Sequence, residues 1–196
     1  MPARDKAIFA FFGLIASGKS TLAEAWAERL GVPYWNSDRV RKELAGRAAA
    51  SGRGEAPNAG IYTPEFSRRT YDALLDRATA ALTTSPAVVL DASYSARAER
   101  DRLRARAAAI GARLRFILCA CPEPVARERM DRRAQDPNAV SDGRWEIYLA
   151  QKSSFQAPGP DEEETVTIDT NRSVAELLDH LARLLGDRHS SDRHSS

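Results

Sequence analysis

Along the chain, short runs of consecutive apolar residues alternate with stretches whose apolar spacing is helical. Ala7 to Phe12 (AIFAFF) is apolar at every position and stops at Gly13. A run apolar on both faces predicts a strand buried inside a parallel sheet. From Lys19 to Leu30 the spacing becomes helical, and Gly31 and Pro33 stop it. Val32 to Trp35 predicts a second short strand, and Ser37 or Asp38 is placed to cap a helix running to Leu44 and ending at Gly46. Thr63-Pro64-Glu65 starts another helix, with Thr as N-cap and Pro at the first helical position, reaching about Thr83. Ala87 to Leu90, Leu114 to Ala120 and Thr165 to Ile168 read as three further strands. Ala96 to Ile110, Pro122 to Ala134, Arg144 to Ser154 and Val174 to Leu185 read as helices. Arg47 to Tyr62 and Gln135 to Arg144 are rich in Gly, Pro or polar residues and predict loops. Strands alternating with helices predict an α/β domain built on a parallel sheet.

The chain has 196 residues, a length for one domain. Its last ten, DRHSSDRHSS, lack apolar side chains. The expected division is therefore a domain over 1–186 and a disordered tail over 187–196. A net charge of +2, from 29 basic and 27 acidic residues, gives no strongly basic body that requires nucleic acid as a partner. Of the basic residues 25 are Arg and 4 are Lys, an excess attributed mostly to overall composition. Cys119 and Cys121 are too few for a disulfide framework or a four-ligand zinc site, and alternation along one strand predicts that both point to the same buried face. The apolar run near the N-terminus is too short to span a membrane, so a cytoplasmic protein without a membrane partner is expected.

Gly13-Leu14-Ile15-Ala16-Ser17-Gly18-Lys19-Ser20 matches G-x-x-x-x-G-K-[ST] without a gap, with a predicted strand before it and a helix after it. The residue types suit phosphate. Gly13 and Gly18 permit backbone conformations closed to other residues, so the loop can curl with its N–H groups inward. The helix start adds its positive end. Gly13, Ala16, Ser17, Gly18, Lys19, Ser20 and Thr21 are the expected nucleotide-binding residues. Lys19 supplies a point charge to the β- and γ-phosphates, and the Ser20 hydroxyl is a candidate ligand of Mg²⁺. A dinucleotide fingerprint is disfavoured, because Leu14-Ile15 leave no second glycine.

Asp38 follows the second strand, on the rim where open α/β sheets bind ligands. It either caps the next helix or accepts a proton from an attacking hydroxyl, and beside a phosphate loop the second role leads. Arg41 lies one helical turn further on the same face and can hold an acceptor or the transferring phosphoryl group. Asp91, after four apolar residues, suits an acid that orients Mg²⁺ or its water shell. Arg129, Arg132 and Arg133 lead into the polar 135–144 segment like the base of a lid, and are candidates for stabilising transferred charge; Arg127 is a weaker one. Trp145 and Tyr148 have helical spacing and are expected to pack in the core.

Together Gly13–Thr21, Ser37-Asp38-Arg39-Val40-Arg41-Lys42, Asp91-Ala92-Ser93 and the arginine-rich segment resemble the P-loop kinases that phosphorylate hydroxyls. That group includes gluconate kinase, chloramphenicol phosphotransferase, zeta toxin and the kinase domain of polynucleotide kinase. SDRVRKEL and SDGRWEIY are most similar to the AAA-type ATP-binding domain often fused to an aminoglycoside-phosphotransferase-like domain. The resemblance implies a P-loop NTPase fold with a five-stranded parallel sheet and an Arg-rich lid, ATP with Mg²⁺, Asp38 as base, and Lys19 and lid arginines as stabilisers. The expected activity is transfer of the γ-phosphoryl group to a hydroxyl on an unidentified small molecule, nucleic acid entering only as an end-phosphorylation substrate. The alternatives are an ATP-binding switch acting on a protein partner, and a zeta-toxin-like kinase. Arg47 to Ile61 departs from the pattern where an acceptor pocket is expected.

Overall fold

The computed structural model describes residues 6–46, 63–134 and 145–191. Five strands, β1 (Ala7–Phe12), β2 (Tyr34–Asn36), β3 (Ala87–Asp91), β4 (Arg113–Ala120) and β5 (Thr165–Asp169), form one sheet in the order β2-β3-β1-β4-β5. Every adjacent pair is parallel. The helices are α1 (Lys19–Leu30), α2 (Ser37–Leu44), α3 (Pro64–Ala81), α4 (Arg97–Ala109), α5 (Glu123–Ala134), α6 (Trp145–Ser154) and α7 (Val174–Ser191). This is the α/β P-loop NTPase fold expected from the sequence.

Strand alternation sends side chains to two cores. Ile8, Ala10 and Phe12 of β1 pack with Leu74 and Leu75 of α3 and Leu103 of α4 on one face. Phe11 packs with Leu22 and Trp26 of α1 and Leu177 and Leu181 of α7 on the other. Helices on both faces explain why the strands read as unbroken apolar runs. A third cluster sits at the carboxyl edge of the sheet, where Ala16 packs with Ala126 and Met130 of α5 and Tyr148 of α6. Trp145 stacks on Tyr148 with ring centroids 4.7 Å apart, and the Arg127 guanidinium lies over the Trp145 ring, so both aromatics pack as expected and Arg127 is engaged.

Several expectations are corrected. The second strand begins at Tyr34 rather than Val32, because Pro33 has no N–H for a ladder; only its carbonyl pairs, accepting from Val89. The cap of α2 is neither Ser37 nor Asp38. Asn36 stands there, its side chain accepting from the N–H groups of Asp38 and Arg39. The two cysteines do not share a face. Cys119 is buried under α1 and α7, whereas Cys121 lies past the end of β4 and packs against the third cluster. The last helix continues through Gly186 to Ser191, and 192–196 lie outside the described residues. The predicted loops over 47–62 and 135–144 also lie outside them.

The arginine excess has a structural use as well. On α4, Arg97, Arg102, Arg104 and Arg106 pair with Asp161, Asp72, Glu164 and Asp76, tying the helix to α3 and to the connection before β5. Arg100 and Glu162 form a fully buried pair through two bonds of 2.7 and 2.8 Å. Arg100 also donates to the Tyr94 carbonyl at 3.0 Å, which secures the chain just after β3.

Candidate active site

The phosphate loop runs from the end of β1 into α1. Gly13 sits at φ 138°, and a Cβ there would lie 2.3 Å from the Cys119 carbonyl oxygen. Only glycine lets the chain leave β1 so close to β4. Gly18, at φ 82°, is the N-cap of α1 and offers no capping side chain, and the first turn carries no acidic residue. The N–H groups of Lys19, Ser20 and Thr21 therefore have no intrahelical partner and present a positive helix end to the opening. Within the loop the Ser17 N–H donates to the Leu14 carbonyl at 3.2 Å. Lys19 Nζ reaches the same carbonyl at 3.4 Å, across the space a phosphate would take. Ser17 is buried, and among the described residues its hydroxyl finds no hydrogen-bond partner.

Asp91 ends β3, opposite Phe11 of β1 and Asn36 of β2 in register. It is fully buried. Its Oδ2 accepts from Tyr34 Oη at 2.9 Å and Asn36 Nδ2 at 2.6 Å, while among the described residues Oδ1 has no partner. A buried, unpartnered carboxylate oxygen is costly unless a cation or ordered water meets it. That fits Mg²⁺ or its water shell at this edge, with the Ser20 hydroxyl as a second candidate ligand. Burial and the Asp91 charge push the Tyr34 hydroxyl well above its ordinary value, so it remains a donor to that carboxylate.

Asn36 serves both sides of the site. One end of its amide caps α2 and the other holds Asp91. With the cap supplied by Asn36, the Asp38 carboxylate in the first turn of α2 is not used as the cap. Burial pushes that carboxyl above the ordinary value, Lys19 opposes the shift, and Asp91 adds to it. Arg41, one turn on, is buried and donates to Ser67 Oγ of α3 at 3.1 Å. Beside it, Tyr71 Oη shares a 2.9 Å bond with Ser93 Oγ and accepts the Tyr94 N–H. Tyr94 is held at φ 39°, and the Ser93 carbonyl accepts the Gly13 N–H.

The three arginines of α5 expected at the base of a lid separate. Arg129 turns onto the loop backbone, donating to the Ala16 carbonyl at 3.2 Å and to Thr170. Arg132 is exposed and pairs with Glu128 within α5. Arg133 is half-buried; burial and the Arg129 charge lower its guanidinium, while Asp91 opposes that shift. All three border a cavity of about 250 Å³ beside Gly18 and Thr21, lined also by Arg172 and by the apolar Leu22, Val174 and Leu177. Sequence reasoning missed Tyr34, Asn36, Tyr71, Thr170, Arg172 and Gln151, whose side-chain oxygen accepts the Ile15 N–H at 2.8 Å. Of these only Asn36, a preferred N-cap type directly before a helix, left a signal in the sequence.

A parallel sheet of this order, with the loop after β1 and an acid at the end of the neighbouring β3, defines a P-loop kinase-type nucleotide-binding domain. The family model described as AAA domain matches residues 8–158, and the chain belongs to that family. Among solved structures it is similar to a sugar kinase from Janibacter sp. HTCC2649, at 18% identity, with 92% of this chain and 95% of that one covered and a TM-score of 0.69. It is similar to a gluconokinase from Sinorhizobium meliloti 1021, at 25% identity, 96% and 98% coverage and a TM-score of 0.63. It is also similar to the Mycobacterium tuberculosis APS kinase in complex with AMPPNP and APS, at 21% identity, 94% and 99% coverage and a TM-score of 0.65. No curated protein matched the sequence. Among the described residues no helix is long and apolar enough to cross a membrane.

Proposed function

We propose that this chain is an ATP-dependent kinase that transfers the γ-phosphoryl group to a hydroxyl of a small molecule. The observation that carries this reading is Asp38. Its carboxylate is released from capping by Asn36, is raised by burial, and faces the charges of Lys19 and Asp91 beside the loop. The gluconokinase and APS kinase likenesses support the same reaction class.

The loop N–H groups and Lys19 bind and neutralise the phosphate chain. The cavity beside Thr21, lined by Arg172 and apolar side chains, takes the nucleobase end. Ser20 and Asp91 hold Mg²⁺, which when bound screens the charge of the β- and γ-phosphates. Asp38 accepts the proton of the acceptor hydroxyl as that oxygen attacks phosphorus. Arg41 and Ser67 orient the acceptor. Arg133 is the lid arginine best disposed to stabilise charge on the transferred group, since Arg129 and Arg132 are committed elsewhere.

The test is transfer from γ-labelled ATP to pooled sugars, nucleosides, hydroxylated antibiotics and 5′-hydroxyl oligonucleotides. With the accepted pool in hand, Asp38→Asn should keep ATP binding and lower transfer by about 10²–10⁴-fold. The wild-type rate should fall as pH drops through the Asp38 value, at a pH above that of an ordinary carboxylate, because the base works only when deprotonated. Full transfer by Asp38→Asn would remove Asp38 from the role. Binding of ATP with no labelled product from any pool would favour a switch module.

A further inference from the structure

We infer that Thr170, at the end of β5 and outside the phosphate-loop motif, is a positioning residue for nucleotide binding that acts with Arg129 on the loop backbone. This rests on the reading that the loop binds MgATP. Thr170 is 2% exposed. Its Oγ1 lies 2.6 Å from the Ser17 carbonyl oxygen and 3.1 Å from that of Ala120, so its single proton goes to the nearer Ser17, and it accepts from Arg129 Nη1 at 3.1 Å. Its carbonyl accepts from Arg129 Nη2 at 2.7 Å, and its N–H is anchored on Ala120. Arg129 Nη1 also reaches the Ala16 carbonyl. Two successive loop carbonyls are thus held on one side by a single hydroxyl–guanidinium pair.

The consequence follows from peptide planarity. In a trans peptide the C=O and the next N–H point in opposite directions. Fixing the Ser17 carbonyl on Thr170 therefore aims the Gly18 N–H away from Thr170 and sets its direction. Ala16 is a non-glycine residue at φ 61°, a left-handed conformation that its Cβ disfavours. The Arg129 bond to its carbonyl supports that conformation. Gly18 completes the fit, since a Cβ there would lie 3.0 Å from Arg129 Nη1 and 3.1 Å from Thr170 Oγ1. A hydroxyl that donates to one group and accepts from another also strengthens both bonds.

Calorimetric binding of MgATP by the full chain tests this. Thr170→Val keeps the shape and removes the hydroxyl, and should raise Kd by about tenfold or more. Thr170→Ser should restore Kd to within about threefold of the unmodified chain, a rescue that a purely packing role would not give. Arg129→Lys keeps the charge but not the two-pronged geometry, and should weaken binding about fivefold or more. The double variant should fall well short of the product of the two effects, because both act through one hub. Thr170→Val binding within about twofold of the unmodified chain overturns the inference, as does a fully multiplicative double variant, the mark of Arg129 touching phosphate directly. Should Thr170→Val not fold, Arg129→Lys binding within about twofold overturns it alone. No MgATP binding by the unmodified chain overturns the nucleotide reading itself, a separate outcome from wild-type binding that Thr170→Val leaves intact.

Discussion

Replacing Glu162 by Gln perturbs the buried pair that holds α4 to the connection before β5. Glu162 and Arg100 are 1% and 0% exposed. Gln keeps the shape but offers one acceptor and one donor, so it cannot match the two N–H groups of the Arg100 fork. Bonds from Arg100 first, then from the Gly159 N–H and Arg104, outweigh burial and hold the Glu162 carboxyl at about 2, down from 4.5. A displacement of that size is worth about 3 kcal/mol at neutral pH. Removing one partner of a buried pair loses about 3–5 kcal/mol, which agrees. The folded value lies below the unfolded one, so the contribution is complete above pH 4.5 and is lost as pH falls towards 2. At pH 7 Glu162→Gln should therefore be less stable by about 3 kcal/mol, with Tm lower by roughly 6–12 °C. At about pH 3 the difference should shrink to roughly half. Urea titrations of both proteins at the two pH values measure it. A difference equal at both pH values, or below about 1 kcal/mol at pH 7, would refute the reasoning.

Two further outcomes are expected. Gly13→Ala should lose about 3 kcal/mol or more and abolish MgATP binding, because the new Cβ meets the Cys119 carbonyl in a conformation alanine rarely adopts; a melt and a calorimetric titration check both. Arg133→Ala should lower transfer by about 10³-fold. In the same labelled-phosphate assay Arg132→Ala should stay within about twofold, since its exposed pair with Glu128 contributes little.

How far the sequence could be read depends on whether the deciding contact was local. Gly31 and Gly46 read as helix stops in the sequence, and both adopt φ near +64° past the ends of their helices. Gly186 has the same residue type, yet α7 passes through it. A glycine weakens a helix by only about 1 kcal/mol, and nothing in its identity says whether the chain turns there. The core strands were legible because burial on both faces leaves no polar position. The cap of α2 was misplaced by one or two residues because Asn36, Ser37 and Asp38 are all good caps. Which one is used depends on Asp91, 55 residues away, which takes the other end of the Asn36 amide.

The same distinction orders the site. The phosphate loop is contiguous, so its residue types and their spacing announce it. What shapes the loop is not contiguous. Gln151, Arg129 and Thr170 reach Ile15, Ala16 and Ser17 from separations of 136, 113 and 153 residues. Each is one polar side chain of a common type, and none carries a spacing signal. Arg129 was visible only as one member of a charged run. All three arginines border the cavity beside the cradle; Arg129 is told apart by the loop backbone it holds, and Arg132 by its pair with Glu128. A phosphate loop is an anion site only while its N–H groups converge, and in this chain three elements outside the motif hold the backbone that aims them. A chain with the same eight motif residues but without those side chains would keep the signature and lose the preorganisation that makes it bind.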